Sequence, residues 1–160
     1  MADTFKITVE RNRLRFAAAH MATFDERCEA LHGHNYEVIV EAEGALTTNA
    51  WVWDFGDVKA MTAAIIADLD HRFLLQLNSQ VLISEQRGGA WRITAGDRTY
   101  TLPIADVVAL PIDNSTAERL AEWVGQRLWA ALRAKGSPNI RKLTVGIEEM
   151  PGQTGWYTVE

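Results

Sequence analysis

The chain has 160 residues, 48% hydrophobic and 23% charged, a globular composition that excludes a disordered or fibrous chain and fits one domain over 1–160. Sixteen basic and twenty-one acidic residues leave a net charge of −5, which argues against nucleic acid as a partner. No apolar run reaches the roughly 18 residues of a membrane span, and the N-terminal MADTFKITVERNR carries no apolar signal core, so a cytoplasmic protein is expected.

Residues 5–10 (FKITVE) and 14–20 (LRFAAAH) alternate as half-buried strands do, and the polar ERNR stretch around Asn12 suits a hairpin turn between them. In the second strand Leu14, Phe16, Ala18 and His20 share a face. Residues 21–31 lack periodicity and read as a loop. Residues 32–43 (HGHNYEVIVEAE) form the next strand, with His32, His34, Tyr36, Val38 and Val40 on one face and Glu37, Glu41 and Glu43 on the other. A helix starts near Asp54, an N-cap with Asp57 in its first turn, and Phe55, Val58, Met61, Ile65 and Leu69 follow at helical spacing. Residues 76–113 break this pattern. Gly88-Gly89 and Gly96-Asp97 mark turns, and QVLI, AWRITA and RTYTL read as short strands of a small hairpin or meander. A second helix begins at Ser115-Thr116-Ala117-Glu118, which has capping-box spacing. Leu120, Val124, Leu128 and Ala131 form its stripe, and Gly136 and Pro138 end it. The strand 141–149 sets Leu143, Val145, Ile147 and Glu149 on one face, and GWYTVE forms a short last strand. This order predicts an α+β domain with helices on one face of an antiparallel sheet.

His32-Gly33-His34 sets two imidazoles on one strand face, about 7 Å apart by strand rise. His20 ends the preceding strand on what could be the same side. Three neutral imidazoles with an open fourth position are the ligand set of a catalytic zinc; the alternative is that they fill the core. The lone Cys28 excludes an internal disulfide and fits a reducing compartment. It is either a small buried hydrophobe or, beside a cation, a usable base. Asp70-His71 follows the first helix. It forms a relay if both groups turn inward; otherwise Asp70 is solvated and His71 serves the helix C-terminus. Glu149 is either a buried acceptor for ligand N–H donors, or Glu148 and Glu149 are both solvated past the strand end.

The segments FAAAH (16–20), CEALHGHNY (28–36), WDFGDVK (53–59), LDHRFL (69–74), STAE (115–118) and EEMPG (148–152) resemble the 6-pyruvoyl-tetrahydropterin synthase family. The spacing from Cys28 to His32 is most similar to the bacterial 6-carboxy-tetrahydropterin synthase branch of queuosine biosynthesis. The motifs run in family order except over 76–110. The resemblance implies a tunnelling fold, a four-stranded antiparallel sheet carrying two helices, with a small β insert near 76–110. It also implies a homo-oligomer, trimers stacked into a hexamer, with active sites between subunits. His20, His32 and His34 are then implied to bind Zn2+, and Cys28 to accept a proton. Asp70 and His71 form a relay, Glu149 anchors the pterin and joins the proton relay, and Thr116 touches the pterin. The implied reaction converts 7,8-dihydroneopterin triphosphate to 6-carboxy-5,6,7,8-tetrahydropterin, acetaldehyde and triphosphate. The alternatives are a pyruvoyl synthase that eliminates triphosphate, and a non-catalytic pterin- or zinc-binding homologue. The sequence departs from the family at Leu74-Leu75, where relatives often have asparagine, and at Met150, where threonine is usual.

Overall fold

The computed structural model describes residues 3–11 and 13–160, so Asn12, the expected turn residue, lies outside the described residues. The elements are β1 (Phe5–Val9), β2 (Arg15–His20), β3 (Thr23–Phe24), β4 (Arg27–Cys28), β5 (His32–Gly44), α1 (Phe55–Ile66), β6 (Arg72–Gln76), β7 (Ile83–Arg87), β8 (Ala90–Ala95), β9 (Arg98–Pro103), β10 (Val107–Leu110), α2 (Ala117–Lys135), β11 (Ile140–Met150) and β12 (Gln153–Val159).

The spine is β5, in which buried Tyr36, Val38, Val40 and Ala42 alternate with the less buried Glu37, Ile39, Glu41 and Glu43. On one edge β1 and β2 pair with it antiparallel in succession, Val9 opposite Val40 and Arg15 opposite Glu37. They follow one another along β5 and do not form the expected hairpin. Arg11 and Arg13, on either side of Asn12, take left-handed φ values of 52° and 62°. On the other edge lie β11 and then β12, both antiparallel. These are the four expected antiparallel positions. Two further strands extend them: β6 pairs in parallel with β2, and β10 in parallel with β6. The sheet is therefore mixed, in the order β10-β6-β2-β5-β11-β12.

Both helices and the inner face of the sheet share one hydrophobic cluster, which includes Phe16, Tyr36, Val38, Val58, Leu120, Leu128 and Val145. Each such side chain, fully buried, contributes about 1.5–3 kcal/mol. In α1 the Asp54 cap accepts the Asp57 N–H as expected, but the buried residues are Val58, Thr62 and Ile66. The stripe is turned from the expected one, so Met61 and Ile65 are half-buried and Phe55 is exposed. In α2 the N-cap is Thr116, whose hydroxyl accepts the Arg119 N–H, rather than Ser115. Glu118 thus sits one position short of a capping box.

The segment read as a loop contains the short β3–β4 hairpin, and 76–113 contains the meander β7-β8-β9 followed by β10. Of QVLI only Ile83 is in a strand. A second cluster (Met21, Phe73, Leu75, Leu82, Ile93, Ala95, Val107) holds the meander against β6, and Cys28 packs against it. Because β6 also gives Leu74 to the first cluster, it is apolar on both faces and shows no alternation.

The last strand passes very close to α2: a Cβ on Gly155 would lie 2.5 Å from the Glu118 amide nitrogen. Gly155→Ala is expected to lower stability by about 1–3 kcal/mol, by pushing the helix start off the sheet. Urea denaturation measures this, and an unchanged midpoint would count against the contact.

Candidate metal centre and its cavity

The β2–β5 register sets His20 directly opposite His32. His34 lies two residues further along the same face, so strand alternation brings all three rings together, with centroids 4.6–5.2 Å apart. One ring nitrogen from each lies within 4.8 Å of the others. His20 is buried, His34 half-buried and His32 exposed, so the cluster runs from the core to the surface.

The outer hydrogen bonds fix the tautomers. His20 Nδ1 donates to the Ser115 carbonyl at 2.8 Å, and His32 Nδ1 donates to the Ala30 carbonyl at 2.7 Å. A carbonyl only accepts, so each Nδ1 carries a proton, and in the neutral form of each ring the lone pair lies on Nε2. Those two Nε2 atoms face each other at 3.1 Å. His34 Nε2 is buried without a hydrogen bond. Three convergent imidazoles, two of them held through Nδ1 by backbone acceptors so that Nε2 faces the cluster, fit a borderline divalent cation. Burial holds the His20 pKa below its ordinary value, partly offset by Ser115 and Glu149, which keeps this imidazole neutral as a ligand must be.

Glu149 completes the cluster, with Oε1 3.3 Å from His20 Nε2 and 3.5 Å from His34 Nε2. A bulge between Glu148 and Met150 in the β11–β12 ladder releases it from strand pairing and aims it inward. Glu148 instead accepts the Gly152 N–H. A cavity of ≈ 540 Å³ opens over the cluster, lined by Glu29, His32, His34, Thr116, Glu149 and Met150 among others. Glu29, which no spacing of the histidines marks in the sequence, has a carboxylate oxygen 3.8 Å from His32 Nε2.

The other expected residues lie elsewhere. Cys28, in β4, is half-buried, its Sγ 3.9 Å from the Met21 carbonyl. Burial pushes its thiol pKa up, against the pull of Arg98. Asp70 and His71 do pair, Oδ1 to Nδ1 at 3.0 Å, but outward: the His71 side chain is 82% exposed. His71 takes a left-handed φ of 58° just after α1, and its N–H donates to the Ala17 carbonyl at 2.6 Å. His71 lines a second cavity, ≈ 660 Å³, together with Gly33, Asn35 and Arg72. The Asp70 carboxylate accepts the Ala17 N–H at 2.9 Å, which with His71 holds its pKa below the ordinary value. Within one chain, then, His20, His32, His34, Glu149 and Thr116 gather at one site, and Asp70 and His71 do not join them.

Residues 7–160 match the family of 6-pyruvoyl tetrahydropterin synthase. A provisionally named 6-carboxy-5,6,7,8-tetrahydropterin synthase of Methanocaldococcus jannaschii is 32% identical over 145 residues, covering 90% of this chain and 89% of its own. The 6-carboxy-5,6,7,8-tetrahydropterin synthase of Haemophilus influenzae is 29% identical, over 78% of this chain and 82% of its own. Among solved structures, 6-pyruvoyl tetrahydropterin synthase of Plasmodium vivax superposes with a TM-score of 0.92 at 28% identity, covering 98% of both chains. Two variant structures of that protein replace one glutamate, described as a catalytic residue, by alanine or cysteine.

Two outcomes are expected. His32→Ala, at an exposed ligand position, is expected to weaken binding of added Zn2+ or Co2+ by about a hundredfold or more while the chain stays folded. Metal titration with unchanged affinity would remove His32 from the ligand set. For Asp70 the folded-state pKa lies below the unfolded value of about 3.9, so its stabilisation is present above that pH and lost as pH falls through the folded value. In the metal-free chain, Asp70→Asn is expected to flatten the acid limb of stability against pH, read by urea unfolding; an unaltered limb would contradict the Ala17 bond.

Proposed function

The chain belongs to the 6-pyruvoyl tetrahydropterin synthase family and is a pterin lyase, and we propose that it is a zinc-dependent 6-carboxytetrahydropterin synthase of queuosine and 7-deazapurine biosynthesis. The substrate on this reading is 7,8-dihydroneopterin triphosphate. With one water consumed, its atoms balance as 6-carboxy-5,6,7,8-tetrahydropterin, acetaldehyde and triphosphate. The observation that carries the reading is the convergence of His20 Nε2 and His32 Nε2, lone pair to lone pair, beside His34 and Glu149.

Zinc on His20, His32 and His34 would supply Lewis acidity toward the hydroxyls of the substrate side chain. The Glu149 carboxylate pairs with adjacent N–H donors of the pterin and takes part in proton transfer, and Thr116 contacts the ring from the start of α2. Cys28 accepts the side-chain proton. Its raised thiol pKa calls for a partner, which the relay Asp70–His71 provides. Because that pair points outward, it serves the site of a neighbouring copy, and a homo-oligomer of trimers stacked in pairs supplies the neighbour. The lone thiol suits a cytoplasmic setting, and no described helix is long and apolar enough to cross a membrane. A second reading makes Glu29 the proton acceptor: it lines the cavity, and the Plasmodium vivax protein has a glutamate described as catalytic.

Incubation of the purified oligomer with 7,8-dihydroneopterin triphosphate tests the activity. Acetaldehyde and a carboxypterin are expected. A pyruvoylpterin would move the chain to the pyruvoyl synthases, and zinc binding without turnover would make it a binding homologue. Cys28→Ala is expected to keep its zinc and lose about a hundredfold or more in turnover; near-normal turnover would transfer the role to Glu29.

A further inference from the structure

The meander β7-β8-β9 reaches the segment before the histidine pair through its second hairpin. Its second hairpin turns at Gly96-Asp97, where Gly96 takes a left-handed φ of 63°, and Arg98 follows as the first residue of β9. The guanidinium reaches across to the segment before the histidine pair. Arg98 Nη2 donates to the Cys28 carbonyl at 2.7 Å and to the Glu29 carbonyl at 3.1 Å, while Nη1 donates to the Tyr100 hydroxyl at 3.5 Å. Those two carbonyls belong to the residues on which the two readings of the proton acceptor rest.

The rest of the segment is secured at other points. Asn114, just before α2, brackets Thr23: its Nδ2 donates to the Thr23 carbonyl at 2.7 Å and its Oδ1 accepts the Thr23 N–H at 2.9 Å. The Glu29 N–H donates to the Ala22 carbonyl at 2.9 Å. The β3–β4 hairpin is thus anchored at its start by Asn114 and at its end by Arg98. Without Arg98 the Cys28 and Glu29 carbonyls lose a charged donor, while the histidine cluster, held by the β2–β5 register, keeps its place.

We infer that Arg98 is a positioning residue: by holding the Cys28 and Glu29 carbonyls, the tip of the meander sets where the proton acceptor stands relative to the metal centre. The inference rests on the proposed pterin reaction and holds whichever of Cys28 and Glu29 accepts the proton. It also gives the meander a task at the site. A planar guanidinium suits the role because one nitrogen bridges two successive carbonyls while the other reaches Tyr100.

The test uses the full oligomer with zinc, comparing Arg98→Gln and Arg98→Lys. Native-state hydrogen exchange of the Glu29 amide reads the segment directly, and kcat, KM and zinc content read the site. Arg98→Gln is expected to speed that exchange about tenfold or more, from the loss of a charged donor. Turnover should fall by about tenfold to a hundredfold in kcat, with KM and zinc content little changed. Arg98→Lys, which keeps one charged donor, is expected to recover part of both effects and guards against a misfolded Gln variant. Unchanged Glu29 exchange in Arg98→Gln would overturn the inference, as would faster exchange with an unchanged kcat. If the unsubstituted protein turns over no pterin, the proposed reaction fails, and the exchange measurement still decides whether Arg98 holds the segment.

Discussion

Two imidazole nitrogens, each with its lone pair turned toward the other at 3.1 Å, are the constraint around which this molecule is arranged. Neutral lone pairs at that distance repel, so the arrangement is favourable only with a cation between them. It persists because each ring is pinned from behind by a backbone carbonyl, and because strand pairing leaves no freedom in the register. A slip of one residue between β2 and β5 would turn His20 or the His32–His34 pair to the opposite face. The long pairing of β5 with β1, β2 and β11 excludes that slip, so the hydrophobic alternation of β5 is also what brings the three histidines together.

Much of this was legible in the sequence because the features involved are local. The alternation of HGHNYEVIV identified both the strand and its histidine face, and the capping signal at Asp54 placed the start of α1. Strand parity favoured Glu149 over Glu148, and a bulge turns Glu149 into the histidine cluster. What stayed hidden depends on distant partners. β6 carries apolar residues to two different clusters, so its FLL run has no period to read. β1 and β2 look like the arms of a hairpin; only the length of β5 shows that they lie end to end. The outward turn of Asp70 and His71 rests on a left-handed residue that is not glycine, which the sequence does not announce. Arg98 lies 70 residues from Cys28, and no pattern in the chain connects them.

Burial sets the electrostatic character of the site. His20 is kept neutral by desolvation, which favours a metal over a proton. The same effect raises the Cys28 thiol and works against thiolate formation, and Arg98 opposes it. The buried Tyr36 hydroxyl beside the cluster has its pKa driven upward and stays protonated, so the wall behind the histidines carries no charge. Carboxylates gather along the cavity, whose lining includes Glu29, Glu118 and Glu149.

The spacing of these contacts along the chain bears on how the protein assembles. His20 and His32 are 12 residues apart, whereas the Ser115 carbonyl that orients His20 is 95 residues away. Closing the short loop costs little entropy and requires only the first third of the chain, whereas the backbone acceptor and Glu149 arrive from its last third. All three imidazoles are therefore synthesised before Ser115 and Glu149, and the orientation of His20 is completed only when the last third of the chain packs.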